Sequence, residues 1–490
     1  MTQPDIFVLI GDCLRASSVD QRTMPFSITS SEATFERCYA PSTWTLPSHA
    51  SLYSRKTPVE HDVTRRGEGV SKNQATLPKI AREEGYRTAL FSENPTFSAH
   101  FGFHHNIDYV DDFINSKLFS SDFALEHAVD EITADNALEA LRALASHPNR
   151  ARNIPNALYG PISYAASKSK TRYPHHGDRV FSHLDSYTEN TSSEPVLCAV
   201  NLLDTHNPHN APPKAGEKGV GISVSSRERK ALSALKDNKI YLFKEPDSPP
   251  TDSQDVYHSW DDVFARKRDV YDAQIRYLDI QIERWITGLD EEAVRDSLFV
   301  ITGDHGQLFG EEEMVGHHTS LHPAGVHVPL FVRFPDSWEG GRTSVTEPVS
   351  WLGLSKAIER TTTGEITSSD EFVQCVQTES TTDGAVIMTA DGPTWNVSKL
   401  RERYDSPMID ELATRKVGVI DGDRQIVYES KWADEEITRR DYELVDGGRE
   451  EIEGGSTVDL SPEQEQWLVR KSEGDVDASV SARLEQLGYL

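Results

Sequence analysis

Three apolar runs in the chain each stop on an acidic or histidine-bearing residue: DIFVLIGD at Asp12, VLCAVNLLDTH at Asp204 and His206, and SLFVITGDHG at Asp304 and His305. Runs this short, dense in Val, Ile, Leu and Phe and separated by helical stretches, read as strands of a parallel sheet buried on both faces. The carboxyl ends of such strands fall along one edge of the sheet, where open α/β folds bind ligands. Residues far apart in sequence can therefore share one site there.

The remaining pattern fits the same architecture. SSVDQRTMPF reads as loop and TFERCYA as a second short strand, and STWTLPSHASLYS as a turn entering a helix. In that helix Thr45 is expected at the N-cap and Pro47 in the first turn, where its missing N–H does no harm. TLPKIAREEGYRTALFSEN predicts a helix, a stop at Gly85 and a strand, the helix-to-strand unit of a doubly wound fold. LEHAVDEITADNALEALRAL, within 112–147, carries a helical pattern. VYDAQIRYLDIQIERWITGL is an amphipathic helix whose Tyr271, Ile275, Leu278 and Ile282 share one buried face. VPLFVRFP is a later strand closed by Pro335, and VSWLGLSKAIERTTTG a helix with Gly364 as its stop.

Beyond that helix the spacing shortens. EFVQCVQTE, GAVIMTADG, KVGVIDGDRQIVYES and RDYELVDGG read as strands, with VIDGDRQIV as a hairpin. The expected fold is α/β: a doubly wound, mostly parallel sheet flanked by helices over 1–370, then a small antiparallel C-terminal subdomain with a terminal helix over 371–490. Two insertions interrupt it, at 149–179 and 207–262. The first is locally basic, and reads either as a solvated loop or as a lid that gathers an anionic substrate. The second contains EPDSPPTDSQD, whose composition is that of loop or disorder.

Composition narrows the function classes. The 490 residues carry a net charge of -29, which disfavours nucleic acid and anionic membrane surfaces as partners and favours solubility in concentrated salt. Arg outnumbers Lys, and 79 Asp and Glu exceed 50 Lys and Arg, an excess that resembles proteins of extreme halophiles. Cys13, Cys38, Cys198 and Cys375 lack CxxC spacing, which argues against a disulfide framework and against a thiolate zinc site. No apolar run approaches membrane-spanning length, and MTQPDIFVLI enters a strand without a charged leader, so the cytoplasm is the default location.

GDHG is the sharpest chemical motif. Gly303 and Gly306 are expected to let the chain turn so that Asp304 and His305 both reach one ion. Asp12, Asp304 and His305 with an oxygen nucleophile suit a divalent ion such as Mg, Mn, Ca or Zn. A lone Asp-His pair would as readily be a helix cap beside a surface histidine, and its co-occurrence with Asp12 favours the metal reading. Thr45 is the candidate nucleophile. A threonine hydroxyl needs a metal or base to become reactive, and a helix N-terminus adds roughly 0.3–1 kcal/mol of anion stabilisation. Taken alone, a Thr there is more simply a cap. His206 and His317 are candidates to bind the transferring anion and protonate the leaving oxygen. Alternatively, Asp204, His209 and His318 or His322 would hold a second metal, giving a paired-ion clamp.

GDCLRA, STWTLPSHASLYS, Thr57 to His61, LPKIAREEGYRTALF, LLDTHNPH, YDAQIRYLDIQIERW, VITGDHGQLFGE followed by GHH, VPLFVRFP and LEQLGYL occur in that order. The series resembles sulfatases of the alkaline phosphatase superfamily over nearly the whole chain. The resemblance implies a divalent metal held by Asp12, Thr45, Asp304 and His305, with His49 and Asn94 as candidate substrate-binding residues. It also shows departures. The C/S-x-P-x-R element that yields formylglycine reads Thr45-Leu46-Pro47-Ser48-His49, so no formylglycine is expected. Cys13 replaces the second family aspartate, and His317 stands where many sulfatases carry a lysine. Members with Thr at the nucleophile resemble phosphodiesterases and phosphoglycerol transferases.

The expected function is a metal-dependent, sulfatase-like hydrolase of a sulfate or phosphate ester acting through a covalent Thr45 intermediate. Its substrate would be an anionic small molecule, lipid headgroup or glycan. The alternatives are a two-metal phosphodiesterase or phosphoglycerol-type transferase, and a catalytically silent homologue that binds anionic glycans or lipids. The charge makes a separate prediction. Salt shortens the Debye length from roughly 10 Å at 0.1 M to about 3 Å at 1 M and screens self-repulsion, so the melting temperature should rise as KCl enters the molar range. A flat or falling profile in a thermal melt would show that the charge does not govern stability.

Overall fold

The computed structural model describes residues 3–64, 68–112, 177–189, 194–207, 209, 224–225, 228, 257, 259–317, 319–381, 385–391, 414–431, 436–454 and 458–470. The helix expected within 112–147, the first insertion up to 176, most of 207–262, His318 and the terminal LEQLGYL lie outside them.

The central sheet contains β1 (Asp5–Gly11), β2 (Ala33–Tyr39), β3 (Arg87–Ser92), β4 (Tyr109–Asp112), β5 (Val196–Leu202) and β6 (Ser297–Gly303). A short ladder of β7 (Leu308–Phe309) and β8 (Val315–Gly316) follows, and then β9 (His327–Arg333), β10 (Thr343–Val345) and β11 (Val349–Ser350) return to the sheet. Its order is β10-β2-β9-β6-β1-β5-β3-β4, with β11 also on β2. All pairings are parallel except those of β9, which runs antiparallel to β2 and β6.

β1 shows why its run is apolar throughout. Ile6, Val8 and Ile10 point into one core with Leu52, Leu77, Trp351, Leu354 and Phe372. Phe7 and Leu9 point into the other, with Phe181, Leu184, Tyr271, Leu278 and Trp285. Helices thus cover both faces, and every β1 side chain after Asp5 is buried, as central parallel strands require. The Trp260–Gly288 helix supplies much of the second core, with Tyr271, Ile275, Leu278 and Ile282 all buried.

Register then places the chemistry. Gly11 lies opposite Leu202 of β5 and opposite Gly303 of β6. The three strands therefore end level, and Asp12, Asp204 and Asp304 leave the same edge. Gly303 and Gly306 are needed for a different reason from the one the motif suggested. Neither has a positive φ. A Cβ on Gly303 would stand 2.2 Å from the Leu14 carbonyl oxygen, and one on Gly306 2.0 Å from that of Ala324. Both allow close approach of backbone, and the left-handed turn falls instead at Cys13, φ 63°.

Three local expectations change. Trp44, not Thr45, is the N-cap of the Thr45–Ser54 helix, so Thr45 is its first helical residue. SSVDQRTMPF ends in a short helix, Pro25–Ser30, whose Phe26 and Ser27 N–H groups donate to the buried Asp279 carboxylate. EFVQCVQTE is a helix, Ser369–Glu379. The Ser368 side chain caps it by accepting from Glu371 N, acidic residues fill its first turn, and Phe372, Cys375 and Val376 bury one face.

The C-terminal sheet begins at Val386. It runs β12 (Val386–Asp391), β13 (Thr414–Asp421), β14 (Arg424–Lys431), β15 (Ile437–Val445) and β16 (Gly448–Ile452), antiparallel and in sequence order. The expected hairpin closes at Asp421 opposite Arg424. β12 braces the segment before Thr45: Thr389 N donates to Pro41 O at 2.9 Å, and Ser42 Oγ donates to Thr389 O at 3.0 Å.

Gly303→Ala should lower the thermal midpoint clearly, because its methyl meets immovable backbone and such overpacking costs roughly 1–3 kcal/mol. An unchanged midpoint in calorimetry would show that β6 and the Cys13 turn move apart freely.

Candidate active site

Asp12 is fully buried at the end of β1 and is the hub of the site. Its Oδ2 accepts from Asn94 Nδ2 at 2.6 Å and from Asn201 Nδ2 at 3.2 Å. Thr205 Oγ1 donates to its backbone carbonyl at 2.5 Å. Burial raises the Asp12 pKa, but electrostatic attraction to the neighbouring imidazoles and the two amide hydrogen bonds outweigh it, and the net shift is downward.

Thr45 faces this carboxylate. It is the first helical residue and not the cap. Oγ1 lies 3.4 Å from Asp12 Oδ2 and 3.3 Å from His305 Nε2, and accepts from Asn94 Nδ2 at 3.1 Å. Standing at the first position of a ten-residue helix, it also sits in the positive end of the macrodipole.

Asp304 approaches from β6. Its Oδ1 accepts from Cys13 N at 3.1 Å and from His305 N at 3.0 Å. Its Oδ2 is fully buried without a hydrogen bond among the described residues, 3.5 Å from His305 Nε2 and 3.8 Å from His49 Nδ1. Burial first and the Asp12 charge second push its pKa well above the usual carboxylate range. Ionisation of both buried carboxylates is disfavoured by their mutual repulsion, which a nearby cation would relieve.

His305 is prepared as a neutral donor. Burial pulls its pKa down to about 4 against the opposing pull of Asp12. Nδ1–H donates to Gly306 O at 2.9 Å, which leaves the Nε2 lone pair towards Thr45, Asp12 and Asp304. Asp12, Asp304 and His305 thus present an orphaned carboxylate oxygen, a second carboxylate and an imidazole lone pair, a donor set that fits a divalent cation.

The other expected residues divide. His49 is fully buried against Phe97, with Nδ1 2.8 Å from Thr45 O, so it props the Thr45 backbone. Asn94 bridges Thr45 and Asp12. His206 and His317 gather above the site, ring centroids 5.5 Å apart, with His317 4.6 Å from His305. Asp204 turns away and accepts from Gln281 at 3.2 Å. His209 pairs with Gln274 at 2.9 Å, and burial and Lys267 lower its pKa to about 3. Among the described residues neither Asp204 nor His209 belongs to a group of three whose ligand atoms converge. His322 caps the Pro323–Val326 turn by accepting from Ala324 N. The expected second-metal set is therefore not assembled among the described residues.

Sequence reasoning missed several contributors. Asn201 and Thr205 bond Asp12 from the end of β5 and the turn after it, and their position beside VLCAVNLLDTH was the available signal. Tyr271, expected only as core, donates to Cys13 O at 2.6 Å and accepts from Arg15 N, holding the Cys13 turn. Cys13 was set aside for lack of CxxC spacing, yet its Sγ donates to Asp12 Oδ1 at 3.4 Å and lies 3.7 Å from His317 Nδ1. Local spacing cannot register ligands that meet only in the fold.

Comparison with known proteins gives the family. The sulfatase family model matches residues 4–363. The chain is 25% identical over 164 residues to the uncharacterized sulfatase YidJ of Escherichia coli, covering 33% of this chain and 31% of that protein. It is 22% identical over 344 residues to the N-acetylglucosamine-6-O-sulfatase of Bacteroides thetaiotaomicron, covering 63% and 58%. The matches thus span about a third and just over half of these relatives' lengths. The phosphonate monoester hydrolase of Agrobacterium radiobacter shares the fold, with a TM-score of 0.58 at 16% identity over 99% of this chain and 94% of that one. With its model matched across most of the length, the chain belongs to the sulfatase family.

Proposed function

We propose that this protein is a divalent-metal-dependent hydrolase of sulfate or phosphate esters in which the Thr45 hydroxyl is the nucleophile. The observation that carries the reading is the position of Thr45 Oγ1, at the first residue of its helix and within 3.4 Å of Asp12, Asn94 and His305 together. Asp12, Asp304, His305 and Thr45 would hold the ion, which supplies Lewis-acid charge to the ester's equatorial oxygens and lowers the cost of the alkoxide.

The chain's own groups account for the rest. Asn94 Nδ2 and the helix N-terminus stabilise negative charge on Oγ1 as its proton departs towards Asp12. Oγ1 bonds to sulfur or phosphorus as the bond to the leaving oxygen breaks, and His206 or His317 assists that oxygen. Water then cleaves the Thr45 ester, and an acceptor alcohol in its place would make the reaction a transfer.

Two relatives suggest substrate classes, a 6-O-sulfated amino sugar and a phosphonate monoester. Thr45 supports the phosphorus side, because position 45 carries neither the Cys nor the Ser that would become formylglycine. Intact mass should accordingly match the unmodified chain, and phosphodiesters should turn over faster than aryl sulfates. A clear preference for sulfate esters with Thr45 still essential would make this a threonine-dependent sulfatase.

Thr45→Ala should cut kcat by about three orders of magnitude or more with the thermal midpoint retained. Survival of about a tenth of the activity would place the nucleophile elsewhere, with Ser42 and Thr43 next to test. Asp304→Asn should lower bound divalent ion by about one equivalent per chain in elemental analysis, since losing one of so few protein ligands costs most of the affinity. Unchanged metal content would remove Asp304 from the ligand set.

A further inference from the structure

We propose that Cys13, His206 and His317 form a second, thiolate-containing cation site of zinc type beside the carboxylate site. The inference rests on the metal reading above and extends it to an ion that the oxygen-rich set does not call for. The ligand atoms of Cys13, His206 and His317 lie within 4.8 Å of one another. The same is true of Asp12, Cys13 and His305, so the sulfur stands between the two groups.

The geometry is that of a small tetrahedral site. Donors bound to zinc at about 2.3 Å through sulfur and 2.0 Å through nitrogen stand roughly 3.5 Å apart. Cys13 Sγ and His317 Nδ1 are 3.7 Å apart. His206 Nδ1 lies 2.7 Å from Asn207 O, the outer hydrogen bond that commonly fixes the ring of a ligating histidine and turns its other nitrogen inward. His317 Nδ1 also lies 3.1 Å from Gln307 Oε1, a hydrogen bond that this nitrogen would give up on taking the ion.

The backbone supplies an independent observation. Cys13 is a non-glycine residue in the left-handed region, φ 63°, a conformation that costs roughly 1–2 kcal/mol. It is held there by Asp304 Oδ1 on its N–H and by Tyr271 on its carbonyl. Strain kept in place by two buried partners is characteristic of a functional turn, and here it aims the sulfur at His317 and Asp12. Sulfur with two imidazoles selects zinc-type ions over calcium or magnesium, which prefer all-oxygen shells. A cation there would put positive charge where His206 and His317 face the leaving oxygen, so these rings would act through the ion and not by giving up a proton.

Cobalt substitution of the full chain tests this, because thiolate bound to Co²⁺ gives a near-ultraviolet charge-transfer band that oxygen and imidazole ligands do not. The wild-type protein should bind about two cobalt ions per chain and show the band. Cys13→Ser should abolish the band, and His317→Ala should abolish it and release one equivalent. Asp304→Asn should release the other equivalent and keep the band. Uptake of one ion without a band would overturn the Cys13 site and leave the carboxylate site standing. A band that survives both His206→Ala and His317→Ala would also overturn it, by assigning the sulfur to the first ion alone. Failure of the wild-type protein to bind any cobalt would sink both sites. The wild-type spectrum decides the matter even where a variant does not fold.

Discussion

Two fully buried carboxylates, Asp12 and Asp304, meet at the ends of adjacent strands, and the structure around them is arranged to make that tolerable. Like charges in a low-dielectric interior repel strongly, and each also loses its hydration. The fold offsets part of this with Asn94 and Asn201 on Asp12 and with the Cys13 and His305 N–H groups on Asp304. One Asp304 oxygen is still left without a hydrogen bond among the described residues. In the proposed reading a cation at the carboxylates would complete the balance and would make a threonine hydroxyl a useful nucleophile. Site chemistry and local stability therefore depend on one electrostatic constraint.

That constraint explains which parts of the molecule must be rigid. The level ends of β1, β5 and β6 fix the spacing of the acidic residues. Close backbone approach at Gly303 and Gly306 lets the Cys13 and Asp304 turns nest against neighbouring carbonyls. On the opposite side β12 ties down the segment before Thr45 through Pro41 and Ser42. Thr45 is thus held between the central sheet and the C-terminal sheet.

Much of this was legible in the chain because burial on both faces leaves an unmistakable trace. Runs such as DIFVLIG and SLFVITG have no polar alternation, and each is followed by an aspartate of the candidate site. Short-range features were harder. Thr45 looked like a cap, since a hydroxyl before a helix usually is one, and only the fold shows Trp44 in that role. EFVQCVQTE looked like a strand because its β-branched and aromatic residues outweighed the capping serine and acidic first turn. Asp204 and His209 stood near the expected ligands in sequence, but each is claimed by a glutamine of the Trp260–Gly288 helix. Asn201, Tyr271 and Cys13 reach the site only through strand pairing and helix packing, which no local spacing encodes.

The account turns on a covalent bond at Thr45. Rapid quenching of turnover with a phosphodiester, followed by peptide mapping by mass spectrometry, observes that bond directly. The account predicts a phosphoryl adduct on the peptide that begins the Thr45–Ser54 helix, localised to Thr45 and absent from Thr45→Ala. An adduct on Ser42, Thr43 or any other side chain while turnover proceeds would contradict it.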